Sequence, residues 1–292
     1  MNELWTKEKE KEFFQTSISN FATPEQLFYQ SDDNRYYAYW PKSYRGRTTT
    51  LQSRNSLIGS FTERYSRDLL QEFARSHGWY AVQKVVCNEI GLTNKSPADV
   101  AFCATQSRIQ IPNNIFALFE VKMSIVWNWE LVNPRGDQSY RCLGDYNTHQ
   151  GNPGLLRSDS MLKAIGKSIN IRVSGHKSSH IPIIILGNTP IQKSYYTKVD
   201  SLSVSGIIQG FWSVNSCPLE GQDSLKSTSK KGFFRIDSYS ELLENLETLF
   251  SELKEFFSSM KTKNELGKII EIANQEAEFE KKAERFLELI RR

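Results

Sequence analysis

The chain has 292 residues, of which 39% are hydrophobic and 24% charged, so we expect one large domain or one domain with an appendage. No apolar run approaches the length of a membrane span, and the charged N-terminal sequence MNELWTKEKEKEFF lacks the apolar core of a signal peptide. We therefore expect a cytoplasmic protein without membrane attachment. Scattered cysteines without CxxC spacing indicate reduced thiols rather than a zinc site.

The formal net charge of +4 is unevenly distributed along the chain. From Asp237 to the end there are 9 basic and 13 acidic residues, a net of −4. The 236 residues before it carry 28 basic and 20 acidic residues, a net of +8. A basic body of this kind favours a polyanionic partner.

The N-terminal part, residues 1–56, combines a predicted helix over residues 3–17 with a basic and aromatic segment. No acidic residue lies between Arg35 and Ser60, whereas tyrosine and tryptophan alternate with basic side chains. Cations contact phosphates and aromatic rings stack on bases, which is one interpretation of the segment. The other is a core cluster of aromatic rings with solvated arginines. The candidate phosphate contacts are Arg35, Lys42, Arg45, Arg47 and Arg54.

The middle of the sequence predicts a helix followed by strands. Residues 57–76 carry apolar side chains at helical spacing, and strand-like runs follow over residues 79–86, 98–104 and 115–123. We expect these strands to form an antiparallel meander behind the helix. The segment 124–157 is predicted to be a long irregular loop, and such loops are usually functional. Its candidate base-reading side chains are Arg135, Gln138, Arg141, Asn147, Gln150, Asn152 and Arg157.

A third helix is predicted from Ser158 to about Ile171. Its Lys163 and Lys167 lie four residues apart on one surface, which either contacts DNA or is simply solvated. The apolar run PIIIL over residues 182–186 is typical of a central strand.

A polar linker is predicted over residues 222–232, followed by a helical hairpin over residues 233–292. Its apolar stripes either pack against the body or mediate self-association. Two capping boxes open its predicted helices: Ser238 with Glu241, and Thr262 with Glu265.

The segment LFEVKMS places an acid and a base inside an otherwise apolar strand. Residues two apart share a strand face, so Glu120 and Lys122 point the same way. Asp99 stands at the head of the preceding strand, and pairing of the two strands brings its carboxylate beside Glu120. Converging carboxylates repel unless a cation joins them, and oxygen ligands favour Mg²⁺ or Mn²⁺. The alternative is a surface ion pair on an edge strand.

The sequence SPAD, which ends at Asp99, followed by FEVK, which ends at Lys122, resembles the PD-(D/E)XK nuclease motif. One residue, Ala98, is inserted between the proline and the acid. The resemblance covers residues 57–187 and implies an α/β fold with an αβββαβ core. This core is a mixed central sheet flanked by helices. It would form a nuclease domain over residues 57–221.

The same resemblance implies roles for the residues of the site. Asp99 and Glu120 would bind Mg²⁺, which Mn²⁺ can replace, with help from the backbone carbonyl of Val121. Lys122 would position the attacking water. Glu63, on the preceding helix, could reach the metal.

The implied activity is that of a type II restriction enzyme, which hydrolyses double-stranded DNA to leave 5′-phosphates. Palindromic sites favour two-fold symmetry, so we expect a homodimer. The alternatives are a structure-specific repair or recombination nuclease of the same fold and a non-catalytic DNA-binding protein.

Overall fold

A computed structural model of the chain describes residues 3–48, 51–221, 224–251, 254–258 and 261–292. The helices are α1 (Lys7–Asn20), α2 (Pro24–Leu27), α3 (Gln52–Ser76), α4 (Ser158–Val173), α5 (Tyr196–Val204), α6 (Tyr239–Ser251), α7 (Lys263–Ala273) and α8 (Phe279–Arg291). The strands are β1 (Tyr29–Gln30), β2 (Tyr36–Tyr37), β3 (Tyr80–Val85), β4 (Ala98–Cys103), β5 (Ile115–Lys122), β6 (Asn128–Val132), β7 (Ser139–Gly144), β8 (Ile183–Gly187), β9 (Gly210–Ser213) and β10 (Phe233–Arg235).

The main sheet is mixed and has helices on both faces. Within the described residues its strand order is β10-β9-β8-β5-β4-β3. The β3-β4-β5 part is antiparallel, as the sequence predicts, and β8, β9 and β10 continue the sheet in parallel with β5. The β8 strand is fully buried, which explains its uninterrupted apolar sequence. The predicted mixed α/β class is thus confirmed.

The two faces of the main sheet contribute to two separate hydrophobic cores. Helix α3 covers one face with Tyr65, Leu69, Leu70 and Phe73. Helix α4 covers the other face with a stripe of small and flexible side chains that includes Met161. Because each face has its own helix, the ends of the central strands lie between α3 and α4 and can present side chains to solvent.

The segment 124–157 contains a β-hairpin, so the prediction of a long irregular loop was wrong. Strands β6 and β7 pair antiparallel, and in the described residues they join β2 and β1 in a second sheet of order β1-β2-β6-β7. The hairpin turns at Asn133, whose φ of 54° suits the left-handed conformation that asparagine tolerates. Trp129 and Leu131 are buried, so their alternation along the strand was a usable signal.

The aromatic segment before α3 belongs to the core. Tyr36, Tyr37 and Trp40 are all buried, which supports the second interpretation of this segment and removes these rings from base stacking. Helix α1 packs in the same core as α3. The N-terminal elements are therefore continuous with the body through shared packing.

A buried carboxylate fastens α1 to the strand β6 region. Glu10 accepts hydrogen bonds from the backbone N–H groups of Val126 (2.6 Å) and Trp127 (3.1 Å) and from the indoles of Trp5 and Trp129 (3.0 Å each). Burial raises the pKa of Glu10 to about 7, and these donors act in the opposite direction. The carboxylate thus organises the chain immediately after β5.

The C-terminal region differs from the predicted linker and two-helix hairpin. Residues 222 and 223 of the predicted linker lie outside the described residues. The rest of it is tied to the body, because the Asp200 carboxylate accepts from the Thr228 hydroxyl (2.5 Å) and the Gly232 N–H (2.9 Å). Strand β10 follows directly. The sequence analysis missed this strand because its three residues are too few for an alternating pattern to emerge.

The C-terminal helices divide into two groups. Helix α6 packs on the main core through Leu242 and Leu246, whereas α7 and α8 pack against each other. The predicted capping box of Thr262 and Glu265 is present at the start of α7. The span that was predicted as two helices therefore holds α6, α7 and α8. Among the described helices, none combines the length and apolar character required to cross a membrane.

Candidate active site

The register of two neighbouring strands brings Asp99 and Glu120 together. Val100 of β4 pairs with Phe119 of β5, so the next positions toward the site are Asp99 and Glu120. The Asp99 Oδ2 atom also accepts a hydrogen bond from the N–H of Val121 at 2.7 Å. This bond fixes the carboxylate against the strand that carries the second acid.

Lys122 lies on the same face of β5 as Glu120. Its Nζ is 2.5 Å from Glu120 Oε1 and 3.9 Å from Asp99 Oδ2. It is also 3.3 Å from the Val121 carbonyl oxygen. The lysine that the sequence analysis selected therefore touches both carboxylates.

A second lysine, Lys167, reaches the same carboxylates from α4. Its Nζ donates to Glu120 Oε2, lies 3.4 Å from Asp99 Oδ1 and donates to the Pro97 carbonyl at 2.6 Å. Only 16% of its side chain is exposed. The alternative of a solvated face is wrong for Lys167, because its ammonium is engaged within the site, whereas its role as a DNA contact stays a prediction.

The electrostatics of the site reflect burial and mutual charge. Burial, and then the charge of Glu120, raises the pKa of Asp99 to about 6, while Lys167 and Lys122 act against this rise. Burial alone would lower the pKa of Lys167, but the carboxylates of Glu120 and Asp99 outweigh it and raise the pKa. The site thus sets two adjacent acids against two adjacent lysines.

Glu63 of α3 lines the same cleft as Asp99, Glu120 and Lys122. Its side chain is half-buried, and burial raises its pKa above the ordinary value. Its Oε2 atom is buried and has no hydrogen-bond partner among the described residues. A buried carboxylate oxygen of this kind needs a partner, such as water or a cation.

The rim of the cleft is basic and includes residues that the sequence analysis missed. Lys84, Lys95 and Arg108 line it together with the predicted Lys163. Lys84 adopts a left-handed conformation (φ 54°), and its carbonyl accepts from Arg108 Nε at 3.2 Å. A lysine inside the apolar strand YAVQKVV was the available signal, whereas Lys95 and Arg108 lie in connections without a recognisable pattern.

The donor atoms at the base of the cleft suit a hard divalent cation. Asp99, Glu120, Glu63 and the Val121 carbonyl offer oxygen, the ligand atom that Mg²⁺ prefers. In the described part of the chain, no group of three or more His, Cys, Asp or Glu side chains is arranged to hold a metal ion. A cation here would therefore bind two carboxylates, a peptide oxygen and water, in keeping with the tendency of Mg²⁺ to retain water.

The predicted DNA-contact residues differ in accessibility. Arg54 is buried, donates to the Ala38 carbonyl and lies over the rings of Tyr29 and Tyr39 at 4.7 and 4.8 Å, so its role is packing. Arg35 and Arg141 both pair with Glu130 in the second sheet. The exposed members of the predicted set are Arg35, Lys42, Arg45, Arg47, Arg135, Gln138, Arg141, Asn147, Gln150, Asn152, Arg157 and Lys163.

No protein-family model, curated protein or solved structure matches this chain. The function of the chain is therefore inferred from the side chains of the cleft and from the motif resemblance carried by residues 96–99 and 119–122.

Proposed function

We propose that this protein is a Mg²⁺-dependent endonuclease of the PD-(D/E)XK type that hydrolyses phosphodiester bonds in double-stranded DNA. The observation that carries the proposal is that Asp99 and Glu120 converge at the base of a cleft with a basic rim, with the Lys122 ammonium beside both acids. The order α3, β3-β4-β5, α4, β8, with the β6-β7 hairpin inserted before α4, supports it, because these elements follow the αβββαβ order that the motif resemblance implies.

The residues of the cleft divide into cation ligands and groups that handle the substrate. Asp99, Glu120 and the Val121 carbonyl would hold Mg²⁺ (or Mn²⁺), which would supply neutralisation of phosphate charge and acidification of water. Lys122 stands beside both acids and can hold the attacking water at the phosphorus. The unpaired Oε2 of Glu63 can accept a hydrogen bond from the same water.

The substrate assignment follows from charge. The basic rim of the cleft suits a polyanionic ligand. The acids at its base are where a bond of that ligand would be hydrolysed. Lys84, Lys95, Arg108 and Lys163 can contact phosphates on either side of the scissile bond. The exposed polar side chains of residues 133–157 would recognise the DNA bases. A palindromic recognition site would require a homodimer.

The test is cleavage of a mapped plasmid with and without Mg²⁺ by the wild type and by Asp99→Ala, Glu120→Ala and Lys122→Ala. We expect each variant to lose on the order of 1,000-fold in rate or more, because each removes a group that acts on the transition state. Binding of duplex DNA should change by only a few-fold. Lys163→Ala is the matched comparison on the cleft rim: it removes one phosphate contact but no group at the acids, so it should still cut, with a loss of only a few-fold.

The products distinguish the kinds of nuclease. Defined plasmid fragments with 5′-phosphates indicate restriction, whereas cutting confined to branched DNA indicates a structure-specific nuclease. Wild-type rates in all three alanine variants would overturn the active-site assignment, and DNA binding without Mg²⁺-dependent cutting would indicate a non-catalytic binding protein.

A further inference from the structure

The two lysines of the site divide the carboxylate oxygens between them. Lys122 faces Glu120 Oε1 and Asp99 Oδ2, at 2.5 and 3.9 Å. Lys167 faces the other oxygen of each acid, Glu120 Oε2 and Asp99 Oδ1. All four carboxylate oxygens are therefore engaged by ammonium groups or, for Asp99 Oδ2, also by a backbone N–H.

We propose that Lys167 is an internal counter-ion that competes with the divalent cation for Asp99 and Glu120, and that it must leave them when the cation binds. The inference rests on the proposed function for the identity of the cation. Lys167 is thus a positioning residue that keeps the acids together without metal and lowers the affinity of the site for the metal.

The geometry favours Lys167 over Lys122 as the group that moves. Lys122 shares strand β5 with Glu120, so its ammonium stays near that acid whatever occupies the site. Lys167 instead reaches the acids from α4, on the opposite wall of the cleft. Lys163, one turn away on the same helix, lines the same cleft with 72% of its side chain exposed. The ammonium of Lys167 can therefore swing toward the rim, where a DNA phosphate would offer it an alternative partner.

The expected consequence is a cation affinity below what the acids alone would give. Removing one positive charge from between two carboxylates increases the negative potential at the cation position. A charge-assisted contact of this kind corresponds to about tenfold in affinity or more. The effect concerns cation binding and is measurable without DNA and without catalysis.

The test is calorimetric titration of the DNA-free protein with Mn²⁺ for the wild type and Lys167→Met, which keeps the length of the side chain. We expect Lys167→Met to bind Mn²⁺ about tenfold more tightly. Lys163→Met, on the same helix and cleft, should bind like the wild type. Glu120→Gln should lose binding in both backgrounds, which locates the titrated site.

Thermal melting without metal provides the folding control. Lys167→Met should melt at a lower temperature than the wild type and recover more of that loss when Mn²⁺ is added. If Lys167→Met does not fold, Lys167→Gln replaces it, with the same expected tightening. Equal or weaker Mn²⁺ binding by the Lys167 variant that folds, or no Mn²⁺ binding by either protein, would overturn the inference.

The outcomes separate this inference from the proposed function. Tighter Mn²⁺ binding by Lys167→Met together with no DNA cleavage by the wild type would support the counter-ion role and refute the nuclease. DNA cleavage by the wild type together with unchanged Mn²⁺ affinity in Lys167→Met would support the nuclease and refute the counter-ion role.

Discussion

Among the regions in which the protein buries carboxylates, two neutralise them in different ways. Near α1, Glu10 is enclosed by the core and accepts hydrogen bonds from fixed backbone and indole N–H groups. At the cleft, Asp99 and Glu120 face long, charged side chains that are partly exposed. The first arrangement leaves the acid no other partner to exchange with. The second can be rearranged by a cation or a phosphate.

This difference shows that a buried acid does not by itself mark a functional site. Glu10 has the more complete burial and the pKa raised to about 7, yet its surroundings leave no room for a ligand. Asp99 and Glu120 are paired with the side chains of Lys122 and Lys167 and line an open cleft. The exchangeability of the partners, rather than burial or a shifted pKa, distinguishes the two regions.

Removing the Glu10 carboxylate should have the largest effect on the free energy of unfolding. Glu10→Ala leaves buried N–H donors without an acceptor, and we expect the free energy of unfolding to fall by about 3–5 kcal/mol. Glu12→Ala is the control on the same helix. Its half-exposed carboxylate pairs with the buried Lys9, which keeps Glu3 as a second partner, so we expect a loss of about 0–1 kcal/mol. Urea denaturation measures both, and equal losses would contradict the structural role of Glu10.

The buried region around Glu10 should also resist protonation of His149, whose ring lies beside the Val126 carbonyl. This ring is buried against Tyr39, with centroids 4.0 Å apart, and burial lowers its pKa to about 4. Since the unfolded chain takes up this proton near pH 6.5, the stabilising contribution is full above pH 6.5 and is lost as the pH falls toward 4. We expect a loss of roughly 3 kcal/mol over this window.

The measurement is the difference between the stability curves of the wild type and His149→Phe from pH 7 to 4. The difference should shrink or reverse in favour of the variant as the pH falls. His176→Phe, at an exposed position, should follow the wild-type curve. A His149→Phe curve parallel to the wild type would show that His149 takes up its proton at the same pH in the folded and the unfolded protein.

Neutralising an acid of the cleft should have the smallest effect on stability, and of opposite sign. At pH 8 the charge of Asp99 is disfavoured by burial and by Glu120. Asp99→Asn keeps an oxygen for the Val121 N–H, and we expect stability to rise by about 1 kcal/mol. Thermal and urea unfolding test this change. A loss as large as that of Glu10→Ala would remove the distinction between the two regions.

The sequence predicted the parts of the fold and the site that depend on local pattern. The ExK spacing in β5 and the position of Asp99 at the start of β4 were sufficient to anticipate their adjacency, since strand alternation and meander pairing are short-range rules. The hairpin of β6 and β7 was missed, because glycine, proline and asparagine in the turn outweighed the alternation of Trp129 and Leu131.

The rest depends on contacts between distant segments. Whether Lys167 faces solvent or Glu120 is decided by how α4 packs on the sheet, which no local pattern encodes. The burial of Arg54 follows from its insertion between two tyrosine rings that precede it in the sequence by 25 and 15 positions. Lys84 lines the cleft with a left-handed backbone. Because lysine has no preference for that conformation, the sequence did not predict this placement.

The left-handed Lys84 changes which way the end of β3 faces. Val82 and Val85 both pack into the core beneath α4, although residues three apart in a regular strand point to opposite faces. The left-handed Lys84 between them breaks the alternation of the strand. Val85 therefore faces the core like Val82, whereas the Lys84 side chain lies at the cleft. An unfavourable torsion, worth about 1–3 kcal/mol, is retained beside Asp99. Glycine would relax this backbone torsion but would remove the charge, so the chain keeps a costly backbone geometry that places a lysine at the cleft.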